Sequence, residues 1–104
     1  EAKLTSIVGM NLFRVIQETI NNAIKYANAS KININAIERN NQITITIKDN
    51  GDGFDINTID LGNGLKNIEK RMSDIKGKVY IESKPDKGTV VKVQISFKNT
   101  ANDV

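Results

Sequence analysis

Alternating apolar and polar positions predict the strands of this chain. From Gln42 to Lys48, isoleucine occupies every second position and polar residues fill the positions between, as in a strand with one buried face. The same alternation predicts three more strands, over residues 31–38, 78–83 and 89–97. Short turns at residues 39–41 and 84–88 join the strands into two antiparallel hairpins.

Two other segments repeat their apolar residues with the period of an α-helix. The first covers residues 10–27, and its predicted apolar face consists of Phe13, Ile16, Ile20, Ala23, Ile24 and Ala27. The second opens at Gly62-Asn63-Gly64, and its apolar stripe consists of Leu65, Ile68, Met72 and Ile75. Gly77 is predicted at the C′ position that ends this helix. The order helix, hairpin, helix, hairpin predicts an α+β fold, a two-layer sandwich with helices on one face of a mostly antiparallel sheet.

The strand that ends at Lys48 leads into a carboxylate on its apolar face. Continuing the alternation places Asp49 in phase with the three isoleucines, where the core is expected. Burying an unpaired charge costs several kcal/mol, so such a carboxylate calls for a partner. Gly51 and Gly53 follow, and glycine permits positive φ and close approach of the backbone. Residues 49–53 therefore predict a pocket for a ligand that donates hydrogen bonds to Asp49.

A hairpin turn and a calcium loop are the two simpler interpretations of residues 49–53. Asn50-Gly51 and Asp52-Gly53 are both common turn dipeptides, so a hairpin turn alone accounts for the composition. An EF-hand calcium loop needs oxygen ligands at its first, third and fifth positions. Counted from Asp49, the third and fifth positions are glycines, so the calcium pattern fails.

The first predicted helix also carries a polar stripe. On a helical wheel, Arg14, Glu18, Asn22 and Lys25 collect on the side opposite the predicted apolar face. A solvated surface is the ordinary explanation of such a stripe. Asparagine is a mediocre helix former, however, and two in succession in mid-helix, Asn21 and Asn22, carry a local cost that a functional stripe explains.

Composition narrows the functions open to this chain. Its 104 residues form one domain with a modest core, and 38% hydrophobic with 26% charged residues is typical of a globular domain. The absence of cysteine and histidine excludes disulfides, thiolate or imidazole metal ligands and histidine-based catalysis. A net charge of +3, with three phenylalanines and two tyrosines, gives little support for a nucleic-acid surface. No apolar run approaches the roughly 18 to 20 residues that span a membrane, and the first residues of the given sequence do not show the pattern of a signal peptide.

Four signals at separate points of the chain suit one ligand, a nucleotide. Gly62-Asn63-Gly64 at a helix start offers free amides and the helix dipole to phosphate, although a simple loop-to-helix junction explains it equally well. Asn22 offers an amide oxygen to Mg²⁺, and Lys25 offers an ammonium to phosphate. Asp49 and Thr89, which the last strand also turns inward, suit the donor and acceptor edge of a purine.

The residues around these signals resemble known motifs. Residues 18–27 (ETINNAIKYA) resemble an asparagine box, residues 49–54 (DNGDGF) a first glycine box, residues 62–65 (GNGL) a second one, and Gly88-Thr89 the closing motif. Over about residues 12 to 97, the chain resembles the ATP-binding catalytic domain of bacterial two-component sensor histidine kinases. These domains have the Bergerat fold of the gyrase–chaperone–kinase–MutL ATPase superfamily. Residues 62–83 resemble the branch that includes nitrate and membrane-fluidity sensors.

This resemblance implies a fold and a role for each motif residue. The fold is a Bergerat sandwich with a mixed, mostly antiparallel sheet, a single catalytic domain over residues 1–104 with its core over about 10–97. Its first strand is expected to be truncated before Met10, where Leu4, Ile7 and Val8 suit the end of a strand. Asp49 is expected to bind the adenine amino group, assisted by Thr89 directly or through a water molecule.

The phosphate end of the implied site involves the first helix. Asn22 is expected to ligate Mg²⁺, Lys25 to contact phosphate, and Glu18 to take a polarising or base-like role near the γ-phosphate. The implied ATP-binding set is completed by Gly51, Gly53, Gly62, Asn63, Gly64 and Leu65, of which the glycines shape the pocket and the hinges of a lid. The lid, residues 55–61, is short and has no phenylalanine, and Tyr26 stands where many relatives have histidine.

The absence of histidine separates donor from acceptor. A histidine kinase phosphorylates a histidine, so the acceptor is expected N-terminal to Glu1, on a dimerisation and phosphoacceptor domain of the same protein. The ATP-binding domain alone is expected not to autophosphorylate.

The further implied partners are a response regulator and a second copy in a full-length homodimer, with no nucleic acid and no direct membrane contact. The expected location is the cytoplasm, including the cytoplasmic part of a membrane-bound sensor. Two alternatives stay open: an anti-sigma-type serine kinase, and a non-catalytic ATP-binding scaffold.

Overall fold

The computed structural model of the chain describes residues 6–25, 27–53 and 64–96. These residues form helix α1 (Ser6–Lys25), strands β1 (Ile32–Arg39) and β2 (Gln42–Asp49), helix α2 (Gly64–Asp74), and strands β3 (Lys78–Ser83) and β4 (Thr89–Ser96). The predicted α+β order is confirmed. The predicted lid, Phe97 and residues 99–104 lie outside the described residues. Neither helix in the described part of the chain is long and apolar enough to cross a membrane.

The four strands form one sheet with the order β1-β2-β4-β3. Asn40 and Asn41 join β1 to β2, and both have positive φ (54° and 62°), as a two-residue hairpin turn requires. Strand β2 pairs with β4 over its whole length, so that Asp49 lies opposite Thr89. All pairings among the described strands are antiparallel, and the mixed character predicted for the sheet has no parallel pair in this part of the chain.

The core lies between the sheet and the two helices. Strands β2 and β4 turn alternate residues inward, and α2 contributes the stripe that its periodicity predicts. The buried residues of these three elements are Ile45, Ile47, Val91, Val93, Ile95, Ile68, Met72 and Ile75. Leu65, at the start of α2, is half-buried against them. Alternation and helical period therefore predicted these faces correctly.

The apolar face predicted for α1 is only partly correct. Ala23 and Ala27 are buried and Ile16 packs against the core, but the packed side is rotated away from the rest of the predicted face. The residues that α1 buries are Leu12, Val15, Thr19 and Ala23, whereas Phe13 and Ile24 are 60% and 58% exposed. Apolar residues occur on several sides of this helix, so periodicity alone does not select the packed side. Thr19 is buried although it is polar, because its hydroxyl donates to the Val15 carbonyl at 2.8 Å.

Helix α1 also begins earlier than predicted. Residues 6–9 are helical, so Ile7 and Val8 do not finish a strand, and Gly9 lies inside the helix. Val8 packs against the core. This contact offsets the low helix propensity of glycine, because packing of one face stabilises a helix more than propensity does.

The end of α2 differs by one position from the prediction. Lys76 takes the C′ position with φ 58°, and its amide donates to the Ser73 carbonyl at 3.0 Å. Gly77 is at C″, where its amide donates to the Met72 carbonyl at 2.7 Å, which completes a Schellman motif. Glycine is needed there for space, because a Cβ on Gly77 would lie 2.8 Å from the backbone carbonyl oxygen of Gln94.

Among the described strands, β1 lies at one edge of the sheet. Ile34 and Ala36 share one face of this strand, yet every residue from Asn33 to Arg39 is exposed. Helix α1 packs over β2, and α2 packs against α1 and β3. Within the described part of the chain, the helical layer therefore covers the centre of the sheet and leaves the helix-side face of β1 uncovered.

Candidate functional site

Asp49 is the last residue of β2, on the face of the sheet that carries the core. Its side chain is nearly buried, with the residue 8% exposed, and Oδ1 accepts a hydrogen bond from the Gly51 amide at 2.8 Å. The other carboxylate oxygen has no hydrogen-bond partner within the described residues. Because no buried side-chain oxygen there lacks a partner, this second oxygen keeps contact with solvent. One oxygen is thus fixed by the backbone, and the other offers an acceptor to a ligand.

Asp49, Thr89 and Ser83 form a row across three neighbouring strands. Thr89 is 9% exposed, as its predicted inward position requires. The Thr89 and Ser83 hydroxyl oxygens are 2.8 Å apart, and the Ser83 hydroxyl donates to the Gly88 carbonyl at 3.2 Å. Sequence reasoning missed Ser83, although the alternation of Val79 and Ile81 on β3 places it on the inward face.

The loop after Asp49 packs directly on the segment that follows α1 and on the β3–β4 turn. A Cβ on Gly51 would lie 2.5 Å from the Ala27 carbonyl oxygen, and the Asp52 amide donates to that same carbonyl at 2.7 Å. Gly53 has φ 65°, and a Cβ there would overlap the Lys84 carbonyl oxygen. Both glycines are therefore required for close backbone contact. Their predicted part in the hinges of a lid stays a prediction.

Polar side chains fix this loop to the connection between α1 and β1. Asn50 Oδ1 accepts from the amides of Ser30 and Lys31 at 3.0 and 2.9 Å, and its Nδ2 donates to the Ser30 hydroxyl at 2.9 Å. Asn28 Nδ2 donates to Asp52 Oδ2 at 3.2 Å. In the sequence, Asn50 and Asp52 are indistinguishable from ordinary turn residues. Their partners lie about twenty residues earlier in the chain, beyond the reach of any local pattern.

Glu18 and Asn22 lie on the flank of α1 that borders the core. The two residues are one turn apart and half-buried. Glu18 immediately precedes the buried Thr19, and Asn22 immediately precedes the buried Ala23. The prediction that this stripe lies opposite the packed face is wrong, because the packed face contains Val15 and Thr19. Asn11, on the same flank, accepts a hydrogen bond from Arg71 of α2 at 3.4 Å. The flank with Glu18 and Asn22 therefore turns toward the α2 side of the sandwich.

The other predicted site residues are placed as follows. Lys25 is the exposed last residue of α1, and Gly64 is the first residue of α2. Leu65 packs against the core. Gly62 and Asn63 lie outside the described residues. Within the described part of the chain, no three acidic side chains cluster, so protein carboxylates alone do not form a metal site there.

Comparison with known proteins places the chain in a family. A family model for histidine kinase-, DNA gyrase B- and HSP90-like ATPases matches residues 8–99. The chain belongs to this ATPase family. The match includes α1, the Asp49 loop, α2 and the Gly88-Thr89 motif, so it covers every predicted site residue.

Relatives by sequence are sensor kinases. The signal transduction histidine-protein kinase/phosphatase DegS of Brevibacillus brevis is 37% identical over 89 residues, which are 85% of this chain and 23% of that protein. The sensor protein VraS of Staphylococcus aureus (strain COL) is 33% identical over 85 residues, 81% of this chain and 24% of VraS. The chain therefore spans about a quarter of the length of these relatives.

Solved structures show the same fold. The ATP-binding domain of PrrB from Mycobacterium tuberculosis has a TM-score of 0.74 at 20% identity, covering 86% of this chain and 69% of that chain. The histidine kinase AdeS of Acinetobacter baumannii has a TM-score of 0.72 at 24% identity, covering 86% and 47%. The resemblance to the ATP-binding domains of sensor histidine kinases is thus confirmed.

Proposed function

We propose that this chain is the ATP-binding catalytic domain of a protein-histidine kinase in two-component signal transduction. It binds Mg-ATP and donates the γ-phosphate to a histidine on a separate dimerisation and phosphoacceptor domain. The observation that carries the proposal is Asp49, a nearly buried carboxylate with one oxygen held by Gly51 and the other open. Such an acceptor, in a chain of an ATPase family, suits the exocyclic amino group of adenine.

The adenine end of the site favours ATP over GTP. The open oxygen of Asp49 carries negative charge and only accepts hydrogen bonds. Adenine presents an amino group at position 6 of the purine, whereas guanine presents a carbonyl oxygen there. Two acceptors repel one another, and the nearly buried position of Asp49 strengthens that repulsion.

The phosphate end of the site lies along α1. Glu18 and Asn22 place two oxygen-bearing side chains one turn apart on a half-buried flank. This donor set fits Mg²⁺, which takes one or two protein oxygens and completes its octahedron with water and substrate phosphates. Asn22 would hold the ion, which would supply positive charge to neutralise the phosphates. Lys25, at the end of the same helix, contacts phosphate, and Glu18 polarises the reacting groups.

Phosphoryl transfer by such a site depends on positioning and on neutralising charge. The chain contains no histidine, so the phosphoacceptor is another domain of the same protein. The next recipient of the phosphoryl group is a response regulator. The full-length protein is a homodimer, and this domain works in the cytoplasm.

The test uses labelled ATP and the separately purified phosphoacceptor domain of the parent kinase. Asn22→Ala removes the proposed Mg²⁺ ligand and abolishes Mg²⁺-dependent labelling of that domain. Asn21→Ala is the matched control, because Asn21 is the exposed neighbour on the same helix, and this variant labels at the wild-type rate. Wild-type labelling by Asn22→Ala contradicts the assignment.

The stability of the label separates the alternatives. Label that is lost in acid and survives alkali is phosphohistidine, as proposed. Label that survives acid identifies a serine acceptor and therefore the anti-sigma-type kinase. A wild-type domain that binds ATP but transfers nothing to the acceptor is a scaffold.

A further inference from the structure

We infer that Ser83 is a positioning residue that holds the Thr89 hydroxyl as a hydrogen-bond acceptor at the base-binding end of the site. Through Thr89, Ser83 makes the site select an amino group over an oxo group at position 6 of a purine. The inference rests on the proposed function, because it assumes that the base lies against Asp49 and Thr89.

The Gly88 carbonyl determines which hydroxyl is the donor in the hydrogen bond between Ser83 and Thr89. Ser83 Oγ lies 3.2 Å from the Gly88 carbonyl oxygen, which only accepts, so Ser83 donates its one hydroxyl hydrogen there. Ser83 Oγ also lies 2.8 Å from Thr89 Oγ1. Because the Ser83 hydrogen is already used, Thr89 is the donor in this second bond. Thr89 then retains only lone pairs for any other partner.

The carbonyl that receives the Ser83 hydrogen is itself fixed against Asp49. Gly88 has φ 76°, and a Cβ at this position would overlap the Asp49 carbonyl oxygen. The backbones of Gly88 and Asp49 therefore touch, and Asp49 lies opposite Thr89 in the sheet. The relay from Thr89 through Ser83 to Gly88 is thus anchored at the junction that holds the ligand-binding carboxylate.

Among the described residues, this arrangement gives the base-binding end two acceptors, Asp49 and Thr89, and neither offers a hydrogen to a ligand. An amino group supplies two hydrogens and satisfies both Asp49 and Thr89. An oxo group meets lone pairs on both. When Ser83 loses its hydroxyl, the Thr89 hydrogen is released, and Thr89 becomes able to donate to an oxo group. Removing Ser83 therefore relaxes selection at position 6, in addition to any effect on affinity.

The test compares ATP with inosine triphosphate, which carries an oxo group in place of the amino group. Both nucleotides are titrated calorimetrically with Mg²⁺ into wild-type protein, Ser83→Ala and Ser83→Thr. The selectivity ratio is the dissociation constant of inosine triphosphate divided by that of ATP. We expect this ratio to fall about three- to tenfold in Ser83→Ala, which is equivalent to the loss of one hydrogen bond. Ser83→Thr keeps the hydroxyl and retains the wild-type ratio. If Ser83 only supports the fold, both affinities fall together and the ratio is unchanged, which overturns the inference.

Two further measurements keep the inference falsifiable. Ser83→Cys keeps nearly the same volume but hydrogen-bonds weakly, so it shows the same loss of selectivity if Ser83→Ala does not fold. In the double variant Ser83→Ala/Thr89→Val, the ratio of the dissociation constants for inosine triphosphate and ATP equals that of Thr89→Val alone, because Ser83 acts through the Thr89 hydroxyl. A further change in the double variant contradicts this. A folded wild-type protein that binds neither nucleotide refutes the proposed function itself, an outcome distinct from an unaltered ratio.

Discussion

The two oxygens of Asp49 have different tasks. Oδ1 accepts the Gly51 amide and so holds the first residues of the loop, while the second oxygen is open to solvent. Asp49 therefore supports the loop and also offers an acceptor to a ligand. A substitution that keeps the hydrogen bond to the Gly51 amide is expected to change ligand affinity without changing the stability of the loop. Asparagine keeps an oxygen for Gly51 and replaces the second oxygen with an amide donor.

Asp49→Asn therefore separates binding from folding. We expect ATP affinity to fall by about 1.5–3 kcal/mol, the contribution of one hydrogen bond to a charged group, with a thermal midpoint close to that of the wild type. Calorimetric titration and thermal unfolding measure the two quantities. Asp74→Asn, on the exposed surface of α2, is the control and binds ATP normally. Unchanged affinity in Asp49→Asn removes this residue from the site.

Gly51 and Gly9 form a matched pair of glycines. A Cβ on Gly51 would lie 2.5 Å from the Ala27 carbonyl oxygen, whereas a Cβ on Gly9 would meet no atom within 4 Å. We expect Gly51→Ala to lower the free energy of unfolding by about 1–3 kcal/mol. Gly9→Ala is expected to raise it by about 0.5–1 kcal/mol, since Gly9 lies inside α1. Urea unfolding measures both, and equal stability of the two variants contradicts the packing of the loop on α1.

At the scale of elements, α1 joins the core to the site. Its packed face contains Leu12 and Val15, and the adjoining flank carries Glu18 and Asn22. The rotation of the helix about its axis therefore determines both which side chains are buried and where the polar stripe points. The sequence periodicity placed Phe13 and Ile24 on the packed face, whereas both are exposed, so substitutions at Phe13 and at the buried Val15 discriminate between the two rotations.

Val15→Ala and Phe13→Ala test the rotation of α1. Val15 is fully buried, and its truncation is expected to lower the free energy of unfolding by about 2 kcal/mol. Phe13 is 60% exposed, and its truncation is expected to change that energy by about 0.5 kcal/mol or less. Chemical denaturation of both variants is the measurement. A larger loss for Phe13→Ala restores the face that periodicity predicted.

The elements differ in how well local pattern predicts them. Strands β2 and β4 have one buried face, so alternation identified their inward residues, including Asp49 and Thr89. Helix α1 carries apolar side chains on both its packed and exposed sides, so no single face stood out. At the end of α2, the left-handed position belongs to Lys76, and Gly77 is needed for close contact with the Gln94 backbone. Contacts with other elements determine both the packed face of α1 and the need for glycine at the end of α2.

At the scale of the whole molecule, three parts of the chain meet at the site. The loop after Asp49 contacts Ala27, in the segment that follows α1, and the turn between β3 and β4. The resemblance to known motifs predicted which residues of each part belong to the site. The spacing of the residues by itself predicted only that the ligand is a nucleotide. Asn50 and Ser83 were missed as functional positions because their partners come from other elements, which a local reading of the sequence does not bring together.

The central claim is that the open acceptor at Asp49 belongs to an adenine site for Mg-ATP. Its most direct test is a calorimetric titration of the purified domain with a non-hydrolysable ATP analogue, with and without Mg²⁺, and with the matching GTP analogue as control. We expect binding of the adenine nucleotide that Mg²⁺ strengthens and that the guanine nucleotide does not reproduce. A folded domain that binds neither nucleotide, or binds both equally, contradicts the account.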